Sequence, residues 1–325
     1  MSRWAKWLSL GVAGAGVAAV IYGRIIERSR VILERYTIRV DRGGLPPEGL
    51  TVLHISDLHC RASGHVQARK LVRLRRLLAS ESYDVVAVTG DLIHNEAGLP
   101  TALTVVEFLR PRLGGFSCPG NRDYWESSLR DILGSRPPGT GRLRRSETKE
   151  AARRLIEFVL KVARNERVHL RIIAHDVPAM HDALRARGIA PLVNRAFHLK
   201  TPDTDVWLAG VDDLTQGKPD LAAALAEVPE GAALILLAHN PDIWLQPGAA
   251  RADLILAGHT HGGQIRLPLA GAIHTQGTHL SRRKPAGWFQ RGATRMYVSR
   301  GVGESLRLRF GAPPQVTLIR LMSAR

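Results

Sequence analysis

Short apolar runs that close on a small or polar residue alternate along the chain with stretches whose apolar positions recur every three or four residues. The runs predict strands at Leu50–Ser56, Val85–Thr89, Gly115–Cys118, Val168–Ala174, Val206–Ala209, Ala232–Ala238, Asp253–Ala257, Met296–Ser299 and Val316–Leu321. The periodic stretches predict helices over Val66–Ala79 and Thr101–Leu109. Strand and helix in alternation imply an α/β layered fold, and no internal repeat is present. The segment Glu126–Arg167 breaks the pattern. It holds a Pro-Pro-Gly-Thr-Gly turn (Pro137–Gly141) and then a basic helical stretch, Ser146–Arg164, with Ala151, Leu155, Phe158, Val159 and Val162 on one face. It reads as an insertion carrying a surface helix, or as a lid or membrane-facing element.

The longest apolar run lies near the start. Trp7 to Gly23 is 17 residues without charge, about 25 Å as a helix at ~1.5 Å per residue, against a hydrocarbon core of ~30 Å. Trp4, Trp7 and Tyr22 mark its two ends, where interfacial aromatics belong. Arg3 and Lys6 precede it, whereas Arg24, Arg28, Arg30, Arg35, Arg39 and Arg42 follow, so the positive-inside rule places the rest of the chain in the cytoplasm. The expected organisation is a single-span anchor with its basic juxtamembrane segment over residues 1–30, in the inner membrane, and one domain over 31–325. A cleaved signal peptide, with small residues at Ala18 and Ala19, is the alternative.

Charge sharpens this reading. The 325 residues carry 46 Lys+Arg against 29 Asp+Glu, a net charge of +17, and are 45% hydrophobic, which excludes global disorder. The excess is nearly all arginine and is confined to three segments: residues 1–42 and 126–167 carry +5 each, residues 282–325 carry +9, and the remainder totals −2. A uniformly basic nucleic-acid binder is a poor description; docking on an anionic leaflet and attraction of an anionic headgroup fit better. No nucleic acid and no obligate protein partner are expected. The two cysteines, Cys60 and Cys118, make no disulfide framework and read as packed thiols, as His54 reads as a packed imidazole.

Candidate chemistry gathers at the strand ends, where open α/β sheets place their ligands. Five ends in order supply Ser56-Asp57-Leu58-His59, Gly90-Asp91, Gly120-Asn121-Arg122-Asp123, Ala238-His239-Asn240 and Gly258-His259-Thr260-His261-Gly262-Gly263. Carboxylate, amide and imidazole without thiolate suit Mn²⁺, Fe or Zn²⁺. A shared carboxylate such as Asp91 can hold two metals ~3.5–4 Å apart, a pair able to polarise a phosphoryl oxygen and activate water.

These motifs resemble the calcineurin-like metallophosphoesterase superfamily over about Thr51–Leu321, interrupted by the insertion. The resemblance implies a four-layer sandwich of two mixed β-sheets flanked by helices, and a metal-dependent phosphohydrolase. It assigns Asp57, His59, Asp91 and His261 to one metal and Asp91, Asn121, His239 and His259 to the other. Ala209–Asp213, Gly258–Pro268 and Tyr297–Gly303 look like the membrane-anchored bacterial branch. That branch includes phosphodiesterases and the pyrophosphohydrolase that cleaves UDP-2,3-diacylglucosamine to lipid X and UMP in lipid A synthesis. A phosphorylated or nucleotide-linked lipid is therefore the expected substrate, and Mn²⁺ the first choice of metal.

One position departs from the superfamily pattern. Arg122 stands where most members have a histidine that assists catalysis beside the metal-binding Asn121. Arginine is no general acid near neutral pH, but its planar fork clamps two phosphate oxygens. The Gly-Asn-Arg-Asp string is similar to that of soluble UDP-2,3-diacylglucosamine hydrolases, which favours pyrophosphate cleavage; a weakened or inactive member is the other reading. His94 is a candidate for the missing imidazole, or a surface loop residue. His274, His279, Arg282 and Arg283 are candidates to face a nucleotide or headgroup. General phosphodiester hydrolysis and non-catalytic anion binding at a membrane are the competing functions.

Overall fold

A computed structural model describes residues 18–62, 64–126 and 173–324, with single positions before residue 17 and between 153 and 166. In chain order it shows β1 (Ile32–Val40), β2 (Leu50–Ile55), α1 (His65–Leu78), β3 (Val85–Thr89), α2 (Leu99–Phe108), β4 (Gly114–Cys118), α3 (Asn121–Tyr124) and β5 (Trp125–Glu126). Then come β6 (Ile173–Ala174), α4 (Val177–Arg185), β7 (Ile189–Pro191), β8 (Arg195–Thr201), β9 (Thr204–Gly210), α5 (Leu221–Leu225), β10 (Ala233–Leu237) and β11 (Leu254–Ala257). The last are β12 (Arg266–Leu267), β13 (Gly271–Ala272), β14 (Gly287–Arg291), β15 (Thr294–Val298) and β16 (Gln315–Ser323).

Two six-stranded sheets result, in the orders β1-β16-β2-β3-β4-β7 and β14-β15-β11-β10-β9-β8. Both are mixed: β2, β3, β4 and β7 run parallel while β16 opposes β2, and β9, β10, β11 and β15 run parallel while β8 and β14 oppose their neighbours. Period-two geometry divides each strand between two cores. Leu50, Val52, Val85 and Ala87 meet Ile235, Leu237, Leu254 and Leu256 between the sheets. Leu53, Ile55, Val86 and Val88 turn outward under Leu74 of α1, Val105 of α2 and Leu184 of α4. Leu234, Leu236 and Ile255 lie under Ala224 and Leu225 of α5. Helix, sheet, sheet and helix are thus stacked as the resemblance implies. Burial on both faces is why the strands read as unbroken apolar runs, each large side chain contributing roughly 1.5–3 kcal/mol.

The N-terminal edge strand of the first sheet was not expected. Ile32–Val40, read as part of a basic arm, is a nine-residue strand parallel to β16. Its exposed Arg35, Thr37 and Arg39 alternate with inward Tyr36, Ile38 and Val40, and the charges conceal the period. In the basic segments 1–42 and 282–325, several arginines are less exposed than the composition suggests. Arg28 bonds buried Glu304, Arg300 bonds Glu34 at 2.6 Å, and Arg309 is fully buried among backbone carbonyls.

Among the described residues no helix is long and apolar enough to cross a membrane. Half of the uncharged run after Trp7, residues 8–13, 15 and 17, lies outside them. Its end, Tyr22–Ile26, is a π-helical turn followed by a 3-10 turn, Glu27–Ser29. Most of the insertion, including the Pro137–Gly141 turn, also lies outside the described residues. Its two sides are joined by the antiparallel pair β5–β6. Of the expected strand Val168–Ala174, the described part is Ile173–Ala174.

Candidate metal centre

The loops leaving β2, β3, β4, β10 and β11 meet where the C-terminal ends of the two sheets come together. Adjacent loops are stitched by backbone hydrogen bonds, Asp57 N to Gly90 O at 3.0 Å and His59 N to Asp91 O at 2.9 Å. Five residues carrying candidate donors sit at left-handed φ: Asp57 (51°), His59 (43°), Asp91 (52°), His259 (69°) and His261 (53°). For residues with a β-carbon this costs ~1–2 kcal/mol each. Such strain persists only where the surroundings over-determine it, and it collects at functional sites.

The donors form two groups that share one carboxylate. In the first, donor atoms of Asp57, His59, Asp91 and His261 all lie within 4.8 Å of one another. His59 Nε2 is 3.1 Å from His261 Nε2 and 3.4 Å from Asp91 Oδ2; His261 Nε2 is 3.6 Å from Asp57 Oδ1. In the second, His239 Nε2 is 3.4 Å from Asp91 Oδ1 and 3.1 Å from His259 Nδ1. The two oxygens of Asp91 thus face different imidazoles. Asn121 begins α3 beside them, and its buried Oδ1 has no hydrogen-bond partner among the described residues.

Electrostatics shows what this cluster demands. Burial holds His59 and His261 well below the usual imidazole range, so both keep a free lone pair. His239 goes the other way: burial opposes it, but the adjacent Asp91, then Asp57 and Asp213, raise it well above that range. Its Nδ1 lies 2.8 Å from the Thr89 carbonyl, which orients the ring with Nε2 toward Asp91. Burial pushes Asp57 up to about 6, opposed by His239 and reinforced by Asp91. The cluster draws a proton onto His239 to balance its carboxylates. Paired neutral imidazoles, a shared carboxylate and an orphaned amide oxygen are a donor set that fits two divalent cations.

Residues around the donors fix their positions. The Asp123 carboxylate accepts the N–H groups of Asp91 (2.9 Å), Leu92 (2.8 Å) and Gly120 (2.9 Å). Ser56 Oγ donates to Asp57 Oδ2 at 2.6 Å. Gly258 is required by close approach, since a β-carbon there would stand 1.9 Å from Ser56 Oγ and 2.3 Å from Asp57 Oδ2. His54 is buried with its Nε2 2.8 Å from Thr89 Oγ1, and burial takes its pKa to about 3; it packs, as expected. Cys60 and Cys118 are free and buried.

At the rim the backbone N–H of Arg122 donates to Asp91 Oδ1 at 2.7 Å, while its half-buried guanidinium has no hydrogen-bond partner among the described residues. His94 lies beside His59, ring centroids 6.1 Å apart, with its pKa lowered to about 3 by burial, Arg61 and Arg122. It is therefore a neutral hydrogen-bonding group near neutral pH. Two rim residues escaped the sequence reading. Arg61 Nη2 reaches the Ser305 carbonyl at 3.4 Å, and Ser305 Oγ lies 3.1 Å from His261 Nε2. Ser305 is 44 residues from His261, and no local pattern announces that contact. Of the other four candidates, His274 Nε2 lies 3.1 Å from the Glu166 carbonyl and His279 Nδ1 3.0 Å from Asp242, with Arg282 and Arg283 on the same loop. Neither histidine belongs to the cluster of Asp57, His59, Asp91 and His261.

A two-sheet α/β sandwich with a histidine–carboxylate cluster across its strand ends defines a metal-dependent phosphohydrolase. The chain belongs to the calcineurin-like phosphoesterase family, whose profile matches residues 50–263. It is 29% identical to the UDP-2,3-diacylglucosamine pyrophosphatase LpxG of Chlamydia trachomatis over 320 residues, 96% of this chain and 95% of the other. It is 41% identical over 119 residues to the uncharacterized metallophosphoesterase YkuE of Bacillus subtilis, 36% of this chain and 41% of that one. Phosphodiesterase YaeI of Escherichia coli is 37% identical over 143 residues, 43% of this chain and 50% of its own. Among solved structures, the phosphopantetheinyl hydrolase PptH of Mycobacterium tuberculosis superposes with a TM-score of 0.38 at 11% identity, over 78% of this chain and 89% of that one.

Proposed function

We propose that the protein is a membrane-associated two-metal phosphohydrolase that cleaves the pyrophosphate of UDP-2,3-diacylglucosamine, with Mn²⁺ as the working metal. The observation that carries this reading is the Arg122 guanidinium, without a hydrogen-bond partner among the described residues, beside a donor set divided by Asp91. Asp57, His59, Asp91 and His261 would hold one ion, and Asp91, Asn121, His239 and His259 the other. The ions would supply a nucleophilic hydroxide and charge stabilisation at a phosphoryl group. The chain's own residues do the rest. Arg122 clamps oxygens of a diphosphate bidentately, a task its fork suits and a lysine does not. Neutral His94 donates a hydrogen bond next to it. A phosphate monoester leaves more easily than an alkoxide, so a pyrophosphate needs no strong acid at position 122. The near full-length similarity to LpxG supports the choice of substrate.

The test is UMP release from UDP-2,3-diacylglucosamine by the purified full chain with Mn²⁺. Release that chelator abolishes and Mn²⁺ restores is expected. No UMP, together with turnover of bis-p-nitrophenyl phosphate, would replace the specific reading with that of a general phosphodiesterase.

A further inference from the structure

Exposed apolar side chains gather on one side of the metal centre. The strands β12 and β13 pair antiparallel, Arg266 with Ala272 and Leu267 with Gly271, around the tip Pro268-Leu269-Ala270. Leu269 at that tip is 100% exposed and is held at a φ of 65°, a conformation rare for leucine. Leu267 and Ile273 on the flanks of the hairpin are exposed too, as are Leu306, Ile25 and Ile26.

These positions come from three parts of the sequence that the fold joins. The N-H of Arg266 donates to the Phe310 carbonyl at 2.7 Å, and Ile265 bridges Phe310. Gln264 Nε2 donates to the carbonyls of Leu306 and Leu308, both at 2.9 Å. The Tyr22 ring meets Phe310 edge-on, and Gly23 lies so close to the 308–309 backbone that a β-carbon would stand 2.5 Å from Arg309 O. Hairpin, 304–310 loop and the end of the uncharged run therefore form one continuous rim, and Ser305 joins that rim to His261.

The charge on this rim is of one sign. Arg24, Arg283 and Arg307 are exposed and stand in no ion pair among the described residues, while the region's acids, Glu27 and Glu304, are both buried, Glu27 accepting the Ala312 N–H and Glu304 lying against Lys70 and Arg28. Apolar side chains ringed by arginines match the boundary of an anionic bilayer, with leucine entering the acyl region and guanidinium meeting phosphate.

We infer that the Arg266–Ala272 hairpin is a membrane-inserting wedge, seated in an anionic leaflet with Leu269 at its tip, which holds the metal centre against the lipid surface. This rests on the reading of the protein as membrane-associated and adds a contact separate from the uncharged run. The occupant is the lipid surface itself.

Cys60 and Cys118 are buried, so a single introduced cysteine takes a thiol label selectively. An environment-sensitive fluorophore is placed on L269C in the full chain, with L113C as the control. Leu113 is exposed just before β4, at the end of the strands away from the site. On mixed phosphatidylglycerol–phosphatidylcholine vesicles, the label at 269 is expected to shift to the blue and to be quenched by lipid-borne nitroxide, and the label at 113 to do neither. A label at L267C is expected to be quenched in the same way, and adding Leu269→Asp to that labelled chain is expected to abolish the quenching. Protein that floats with vesicles while the label at 269 stays water-like overturns the wedge alone. Protein that fails to float overturns the membrane reading with it.

Discussion

The Asp123 carboxylate holds the backbone of Asp91, accepting its N–H at 2.9 Å, so the last residue of the Gly-Asn-Arg-Asp string shapes the turn that carries the shared donor. The same carboxylate takes the N–H groups of Leu92 and Gly120, locking two strand ends together. Asp123→Asn puts an N–H₂ among N–H donors. Metal content measured by mass spectrometry and turnover should both fall, by ~10–100-fold as for other residues that orient metal ligands, with the fold retained by circular dichroism.

Asp91→Ala removes the carboxylate that faces both imidazole pairs. Loss of both ions is expected, rather than one, and turnover should drop to background. Wild-type activity retained in this variant would show that the hydrolysis arises elsewhere.

On the proposed reading, substitutions at Arg122 separate substrate clamping from metal binding. Arg122→Ala should leave metal content unchanged, because its backbone N–H still reaches Asp91. It should cost roughly 10–100-fold in kcat/KM on a pyrophosphate, the range of a lost charge-assisted contact. Arg122→Lys should recover only part, since a point charge does not replace a fork. Equal turnover by all three forms would remove Arg122 from the site.

Glu304 is buried against Lys70, Arg28 and Arg309. Burial raises its pKa, but Lys70, Arg309 and Arg28 outweigh it and hold the carboxyl below its ordinary 4.5. Below that value the unfolded chain binds a proton that the native chain does not, so the stability it contributes is complete above pH 4.5 and is lost as pH falls. Glu304→Gln leaves buried cations unpaired and should cost ~3–5 kcal/mol at pH 7. In urea unfolding, the gap between wild type and variant should narrow from pH 5 to pH 3.

Gly258→Ala places a methyl group on Asp57 and Ser56. Metal affinity should collapse while the inter-sheet core, away from this loop, keeps its urea midpoint within roughly 1–3 kcal/mol of wild type, the usual cost of overpacking.

The inner strands were legible because both of their faces are buried, which leaves an unbroken apolar run such as Val85–Thr89. The donors were legible because each sits on a turn beside a glycine or at a strand end. What escaped lacks an unbroken apolar run or the length to show a period. β1 alternates charged and apolar residues, β8 exposes Arg195, Phe197 and Lys200, and α5 is five residues long. The rim contacts of Arg61 and Ser305 depend on chain segments more than two hundred residues apart. The contact of His279 with Asp242 was not legible either, because the two lie 37 residues apart.

The position of β16 sets an order of events during synthesis. It lies between β1 and β2, pairing Thr317 with His54 and Ile32 with Gln315. Until residues 315–323 have left the ribosome, two strands made long before have open edges, and the sheet that holds β1 and β2 is incomplete. Ribosome-bound chains are therefore exposed to mispairing for most of their synthesis, and the metal loops on β2 and β3 become a finished site only after the final strand slots in.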